Sequence, residues 1–337
     1  MMSLRMNTSS LTGTIFNTGG NEMYRIGVDL GGTNIAVGVI SEDLKIVGRG
    51  VMKTNCPRPA EEIFDDIEKA VEMAIADAGI SKEEVSSVGV GTPGTVNKSN
   101  GYIEFANNLA FKQVPAKDML ESRLGITCYI DNDANCAALG EAVAGVGKGS
   151  KNFVAITLGT GVGSGIIIDG KIINGANFAA GEMGHMVIAV DGEQCNCGRR
   201  GCWEQYASAT ALIRQTKDAM KHHQDSIMWN IVEDNIENTN GRTEFDAMRQ
   251  GDSAAKQVVD RYVYYVAVGL VNIINALQPE FICLGGGIAN EKETLLAPVR
   301  QHVFRERYSH YSNIQTEIVS AELGNDAGIF GAALLDC

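Results

Sequence analysis

The chain is 337 residues long, 45% hydrophobic and 20% charged, an ordinary globular balance at a length beyond one typical domain, so two domains are expected. A formal charge of −13 argues against nucleic acid or an anionic membrane as a main partner, and no run of about 18 apolar residues is present to span a bilayer. A nucleotide is not excluded, because such a site is built locally from glycines and a metal ion whatever the net charge.

Residues 1–23 are polar and rich in Ser, Thr, Asn and Gly, and they read as a disordered extension rather than a signal peptide. Two β-rich runs follow at 24–30 and 35–40, joined as a hairpin by Gly31-Gly32-Thr33-Asn34. Apolar residues at 63, 67, 70, 71, 74, 75 and 78 form the stripe of an amphipathic helix over 60–78, stopped at Gly79. A buried strand at 85–90 runs into the turn Gly91-Thr92-Pro93-Gly94. A strand at 126–130 leads through Asp131-Asn132-Asp133 into a helix at 134–144. The pattern then restarts, with a second hairpin from 153–158 and 165–168 around Gly159-Thr160-Gly161-Val162-Gly163. Residues 222–245 are polar and irregular, the composition of a surface connection. A long helix at 254–277 is stopped by Pro279, and a strand at 281–284 ends in Gly285-Gly286-Gly287. The last segment, from Gly324 through Asp326 to Gly328, enters a short apolar helix that returns to the first domain. Two α/β domains with echoing hairpins and a cleft between them are expected.

Three glycine-rich turns, at 29–34, 157–163 and 285–287, each follow an apolar strand. Glycine lets backbone N–H groups approach an anion without a Cβ in the way. One such turn is ordinary hairpin chemistry; three together point to a polyphosphate. Neither the P-loop pattern nor the dinucleotide fingerprint is met, the latter because Ser164 stands at the third glycine position. Asp29, beside Gly31, Gly32 and Thr33, is either a turn-initiating aspartate or a carboxylate placed to hold Mg²⁺. Asp133 is either the cap of the following helix or a base that takes a proton from an attacking hydroxyl. Asn132 carries both a donor and an acceptor suited to sugar hydroxyls.

His185, Cys195, Cys197 and Cys202 fall within eighteen residues and make a complete Cys3His set for tetrahedral zinc. Gly198 and Gly201 allow the tight turns that bring the thiols together. Three unrelated thiols or a disulfide pair are the competing readings. The scattered Cys56, Cys128, Cys136, Cys283 and Cys337 indicate a reducing cytoplasm, which disfavours the disulfide. Glu182 and Glu204 flank the cluster without being needed as ligands, so a structural zinc would hold a loop that presents polar groups to something else.

Together, Asp29 to Asn34, Gly89 to Gly94, Asn107-Asn108-Leu109, Asn132 to Asn135, Thr157 to Gly163, Gly181-Glu182-Met183-Gly184-His185, Cys195 to Glu204 and Leu284 to Gly287 resemble the ROK family of sugar kinases and sugar-responsive repressors. The likeness covers nearly all of 24–337 and is strongest to the family's bacterial ATP-dependent glucokinases. It implies an actin-like, hexokinase-type (ribonuclease H-like) two-domain α/β fold, with ATP and sugar in an interdomain cleft. The domains would be 24–133 plus 322–337, a small one, and 134–321, a large one carrying the zinc loop.

By the same resemblance Asp133 is the catalytic base toward a hexose 6-hydroxyl. Gly94, Asn108, Asn132, Glu182, His185 and Glu204 match sugar-binding positions. Asp29, Gly31, Gly32, Thr33, Asn34, Gly159, Thr160, Gly161, Gly285 and Gly286 match the ATP side, with Mg²⁺ as its ion and Zn²⁺ as the structural metal. Asn34 departs from the pattern, standing where many members carry lysine, and takes one positive charge from the phosphate turn. The implied reaction is ATP-dependent conversion of D-glucose to glucose 6-phosphate. The open alternatives are kinases for N-acetylmannosamine, N-acetylglucosamine, fructose or mannose, and a non-catalytic sugar sensor. A repressor would carry an N-terminal winged helix, and the 22 polar residues ahead of the first strand show no helical period or basic stripe. The family implies a homo-oligomer, dimer or tetramer, in the cytoplasm.

Overall fold

A computed structural model describes residues 23–337, and the extension expected at 1–23 lies outside the described residues apart from Met23. The first sheet has the order β3-β2-β1-β4-β8. It is built from β1 (Tyr24–Leu30), β2 (Asn34–Ile40), β3 (Ile46–Lys53), β4 (Val85–Thr92) and, after a small sheet described below, β8 (Cys128–Asn132). β1 runs parallel to β4 with Asp29 opposite Gly91, and β4 runs parallel to β8 with Gly91 opposite Asp131. The carboxyl ends of three parallel strands therefore finish level, the place where open α/β sheets hold their ligands.

One face of this sheet is covered by α1 (Ala60–Ala78), whose buried stripe Ile63, Phe64, Ile67, Ala70, Val71 and Ala74 matches the sequence expectation. Its C-cap Gly79 adopts φ +68° and donates to the Ala76 carbonyl, ending the helix as expected. Between β4 and β8 the chain forms a small antiparallel sheet of β5 (Thr95–Asn97), β6 (Tyr102–Ala106) and β7 (Phe111–Val114), then α2 (Ala116–Leu124). α3 (Asp133–Val143) follows β8 directly.

The second sheet has the order β11-β10-β9-β12-β13, from β9 (Phe153–Leu158), β10 (Val162–Ile168), β11 (Lys171–Ile172), β12 (Phe281–Gly285) and β13 (Glu317–Ser320). Its helices are α4 (Glu204–Ala207), α5 (Ala209–His222), α6 (Ile227–Ile231), α7 (Thr243–Arg249), α8 (Ser253–Leu277) and α9 (Glu293–Glu306), and α10 (Ala327–Ala333) closes the chain. α8 starts at Asp252, whose carboxylate accepts from Ala255 N at 2.7 Å, and stops one residue before Gln278-Pro279. Residues 222–245 are not the irregular connection that their composition suggests. They hold α6 and the start of α7, and Met228, Val232 and Ala247 bury against Met220.

By contacts the chain divides into a unit ending at Phe153 with 165–180 and 322–337 added, and a unit of 154–164 and 181–321. This differs from a boundary after Asp133, because α3 packs along α10 and stays with the first unit. Among the described residues no helix is long and apolar enough to cross a membrane.

α10 sits on glycine. A Cβ at Gly27 would lie 1.9 Å from the Ile329 carbonyl oxygen, at Gly89 1.7 Å from that of Ala332, and at Gly140 2.2 Å from that of Ala327. In return, a Cβ on Gly331 would lie 1.6 Å from the Cys136 carbonyl oxygen. Backbone meets backbone here, with no side chain able to yield. Gly89→Ala is therefore expected to destabilise the protein by about 3 kcal/mol through overpacking, read as a lower urea midpoint.

Candidate functional site

The level strand ends of the first unit carry Asp29, Asp131 and, one step into α3, Asp133. The three carboxylates are treated differently by their surroundings. Asp131 is buried and neutralised: Lys98 Nζ is 2.6 Å away, Asn135 Nδ2 donates to it at 2.9 Å, and the Asn132 N–H donates at 2.7 Å. Asp133 is paired with no cation among the described residues; its carboxylate accepts from Ala134 N at 2.8 Å in the first turn of α3. Burial pushes its proton affinity above the usual carboxylate range, against the lowering effect of the helix N–H groups. Burial also raises Asp29, to about 6, and the Asp133 charge adds to that shift. Asp29 and Asp133 are thus two buried carboxylates with no paired cation among the described residues, beside a third that is neutralised.

The helix cap is Asn132, not Asp133. β8 runs two residues further than the sequence suggests, so α3 begins at Asp133, and the Asn132 side-chain Oδ1 accepts from Ala134 N at 2.9 Å and Asn135 N at 3.3 Å. Its amide donates to the Gly94 carbonyl at 3.0 Å, fixing the loop after β4. The same side chain hydrogen-bonds the Asp133 carboxylate, which lowers its proton affinity against the effect of burial. Gly94 has φ +94°, and a Cβ there would collide with the Phe105 carbonyl oxygen at 2.1 Å. Asn108 is exposed on a short 3-10 turn, with its Cβ 4.0 Å from where a Gly32 Cβ would be.

The first glycine turn is closed by Gly31 N donating to the Asn34 carbonyl at 2.9 Å and by Thr54 Oγ1 donating to the Gly31 carbonyl at 2.6 Å. Thr33 is exposed on it. Lys53, opposite Asn34 on β3, donates to its Oδ1 at 2.8 Å, so the turn keeps a cation supplied across the strand pair. Gly328 is a further site residue that sequence reading missed: a Cβ there would stand 3.2 Å from the Asp29 carboxyl carbon. Its signal was present in Asp326-Ala327-Gly328, a glycine at the head of a helix.

In the second unit the other two glycine turns come together. Gly286, at φ +86°, lies so close to the end of β9 that a Cβ would be 2.5 Å from the Leu158 carbonyl oxygen, and Gly285 stands alongside near Thr157. Gly159 N donates to the Gly161 carbonyl at 3.0 Å, and the start of α5 anchors the turn, Ala209 N to the Gly159 carbonyl and Thr210 Oγ1 to the Thr160 carbonyl, both at 2.8 Å. Gly161 also makes room for Glu204: a Cβ would lie 2.4 Å from Glu204 Oε2, which accepts from Val162 N at 3.0 Å. Ser164 holds Gly181 through its hydroxyl and accepts from Met183 N at 3.2 Å, setting the segment that carries the exposed Glu182.

The donor atoms of His185, Cys195, Cys197 and Cys202 lie within 4.8 Å of one another. His185 Nδ1 is 3.6 Å from Cys195 Sγ, and Cys197 Sγ is 3.6 Å from Cys202 Sγ. Tetrahedral zinc with bonds of about 2.3 Å to sulfur and 2.0 Å to nitrogen requires ligand separations of about 3.5–3.8 Å. The donor set fits. Gly198 and Gly201 adopt φ +91° and +78°, as the tight loop demands, and no cysteine of the set is in a disulfide. Gln205 Nε2 reaches Cys195 Sγ at 3.7 Å, and the buried Trp203 anchors the loop, its indole N–H donating to the Tyr265 carbonyl at 2.8 Å.

The sequence model of the ROK family matches residues 25–336. The glucokinase of Halalkalibacterium halodurans is 37% identical over 316 residues, covering 94% of this chain and 95% of that protein. The glucokinase of Thermotoga maritima is 37% identical over 310 residues, covering 91% and 95%. The crystal structure of a ROK family glucokinase from Streptomyces griseus in complex with glucose and AMPPNP superposes with a TM-score of 0.78 at 36% identity, covering 93% of this chain and 98% of that one. The chain has the actin-like, hexokinase-type fold of these sugar kinases.

Because Asn132 both caps α3 and ties down Gly94, Asn132→Ala is expected to lower stability by about 1 kcal/mol, the usual cost of a lost cap. Urea unfolding monitored by circular dichroism measures it.

Proposed function

The chain belongs to the ROK family, and from that premise we infer that it is an ATP-dependent sugar kinase that converts D-glucose to glucose 6-phosphate. The observation that carries the mechanism is the unneutralised Asp133 at the head of α3, beside a fully paired Asp131. Phosphoryl transfer asks little covalent chemistry of a protein: a hydroxyl to be positioned, a base for its proton and compensation for phosphate charge. Asp133 accepts the 6-hydroxyl proton as the oxygen attacks the γ-phosphorus of ATP, and the bond from that phosphorus to the β,γ-bridging oxygen breaks to release ADP. Its raised proton affinity suits a base that must hold that proton.

Asn108, Asn132, Glu182, His185 and Glu204 are the polar groups we assign to the sugar hydroxyls, with Gly94 in the loop that meets the ring. Gly31, Gly32, Thr33, Asn34, Gly159, Thr160, Gly161, Gly285 and Gly286 are assigned to ATP, where turns without Cβ atoms admit phosphate oxygens. Lys53 brings its charge to the first of these turns. Asp29 would hold Mg²⁺, which supplies charge neutralisation at the phosphates. His185, Cys195, Cys197 and Cys202 would hold Zn²⁺, which supplies a structural cross-link for the loop. Nδ1 faces the thiols, so coordination there would fix the tautomer and leave Nε2–H as an oriented donor to a sugar hydroxyl. We place the enzyme in the cytoplasm, where ATP is available and thiols stay reduced.

Asp133→Asn should lose turnover by several orders of magnitude while glucose still binds, as read by a coupled ADP-release assay and by calorimetry. In the unsubstituted enzyme kcat/KM should fall as pH drops through about 6, where Asp29 gains a proton, and the raised proton affinity of Asp133 adds to the loss on the acid side; a rate flat down to pH 5 contradicts the assignment. Cys197→Ser should lower zinc content from one equivalent and raise KM for glucose more than KM for ATP. Mass-spectrometric metal analysis with steady-state kinetics decides this, and full metal with an unchanged KM refutes the role given to the loop.

A further inference from the structure

A groove of about 600 Å³ opens on the second unit, walled by α5 and α8, with Tyr206 of α4 and Glu193 of the cysteine loop at one end. No residue assigned above to sugar, nucleotide or metal lines it. Its cations are unusual for a chain of net charge −13. Arg214 and Arg261 both line it, and among the described residues neither is paired with a carboxylate. Arg261 Nε donates to the Tyr265 hydroxyl at 3.0 Å, leaving its terminal N–H groups unspent, and Arg214 donates to the Gln205 carbonyl at 2.6 Å. His222 and His223 add two imidazoles. Of the two carboxylates at the rim, Asp218 is paired with Lys221 at 3.0 Å and Glu193 is exposed.

The uncharged part of the lining narrows the ligand. The Tyr206 and Tyr265 rings pack with centroids 4.8 Å apart, and the Arg261 guanidinium stands 5.7 Å from the Tyr265 ring centroid. Gln215 donates to the Tyr206 and Ala211 carbonyls at 3.0 and 3.1 Å, yet its buried Oε1 has no partner among the described residues. A buried acceptor without a donor favours a ligand that brings a hydroxyl. Two planar guanidinium groups favour an oxyanion with several oxygens, above all phosphate. A second depression continues the groove past Arg261 to Arg200, adding a third cation, with the exposed Asp191 at its far side. The wall is also tied to the metal loop: Tyr206 Oη accepts from Glu193 N at 2.8 Å, and Gln205, held by Arg214, contacts Cys195.

We propose that this groove is a second binding site, separate from the kinase site, that takes a phosphate monoester of a small polyol. The choice of glucose 6-phosphate as probe rests on the activity inferred above; the site itself does not. The test is calorimetric titration of the full-length, zinc-loaded protein with its substrate sites filled by saturating glucose and ADP. Glucose 6-phosphate should still bind under these conditions, and Arg261→Gln should weaken it by about tenfold or more, the loss of a charge-assisted contact. His223→Gln should weaken it too. Inorganic phosphate, titrated in parallel, should bind more weakly than the ester; equal affinity would overturn the polyol part of the assignment. Absence of binding once the substrate sites are filled, or affinity unchanged in both variants, overturns the site. A protein that binds the ester but phosphorylates no sugar would overturn the kinase reading and leave this site standing.

Discussion

The first unit depends on a contact that has no side chains in it. α10 lies on Gly27 of β1, Gly89 of β4 and Gly140 of α3, with its own Gly331 against the Cys136 carbonyl. Each contact is too close to admit a Cβ, so helix, sheet and neighbouring helix are locked in register by backbone atoms. Asp29 is two residues beyond Gly27, Gly91 two beyond Gly89, and Asp133 lies two turns before Gly140 on α3. The seat of α10 therefore fixes the separation of the carboxylates at the strand ends. It also presses Gly328 close to the Asp29 carboxyl group, where a larger residue would displace it.

That rigidity has a use, because the carboxylates it places do not favour being there. Asp29 and Asp133 are both raised by burial, and Asp29 further by its neighbour's charge. Left to relax, such a pair would turn outward or take up a cation, as Asp131 has done with Lys98. Strain of this kind persists only where the surroundings over-determine the geometry. Asn132 is part of that over-determination. Its side chain is committed in two directions at once, to the head of α3 and to the loop at Gly94, so the segment between β8 and α3 cannot rotate away.

Much of this was legible in the sequence where the signal is local. The 60–78 helix has a full apolar stripe and a terminal glycine, and α8 has Asp252 ahead of it and Pro279 behind it. The Cys3His set is compressed into eighteen residues, so spacing alone brings the donors together. Failures came where the determinant is distant in sequence. α6 and α7 are five and seven residues long, too short for a period to show, and they are helical because Met228, Val232 and Ala247 find a core to enter. The cation beside Asn34 comes from Lys53, a partner that only the β2–β3 register reveals. Asp131 and Asp133 look equivalent in sequence; Lys98 distinguishes them, and nothing near them predicts it.

The cysteine loop meets the same demand for fixed geometry by other means. Between Met186 and Trp203 it has no regular element, only the isolated bridges Val187 to Cys202 and Gln194 to Arg200, and few of its side chains are buried. A segment with so little apolar surface cannot hold a conformation by core packing. The zinc assigned to it would replace a core with a cross-link, and Trp203 supplies a large buried anchor. That indole fits only because position 269 on α8 is glycine: a Cβ there would fall 2.0 Å from the ring. Glu204 follows Trp203 directly and begins α4, so its carboxylate is aimed by the anchored indole beside it and by the bond it accepts from Val162 N. In both units, then, an acidic group is positioned by a contact that glycine permits, through backbone at Gly89 and through an aromatic ring at Gly269. In neither case does the acid itself supply the packing that holds it.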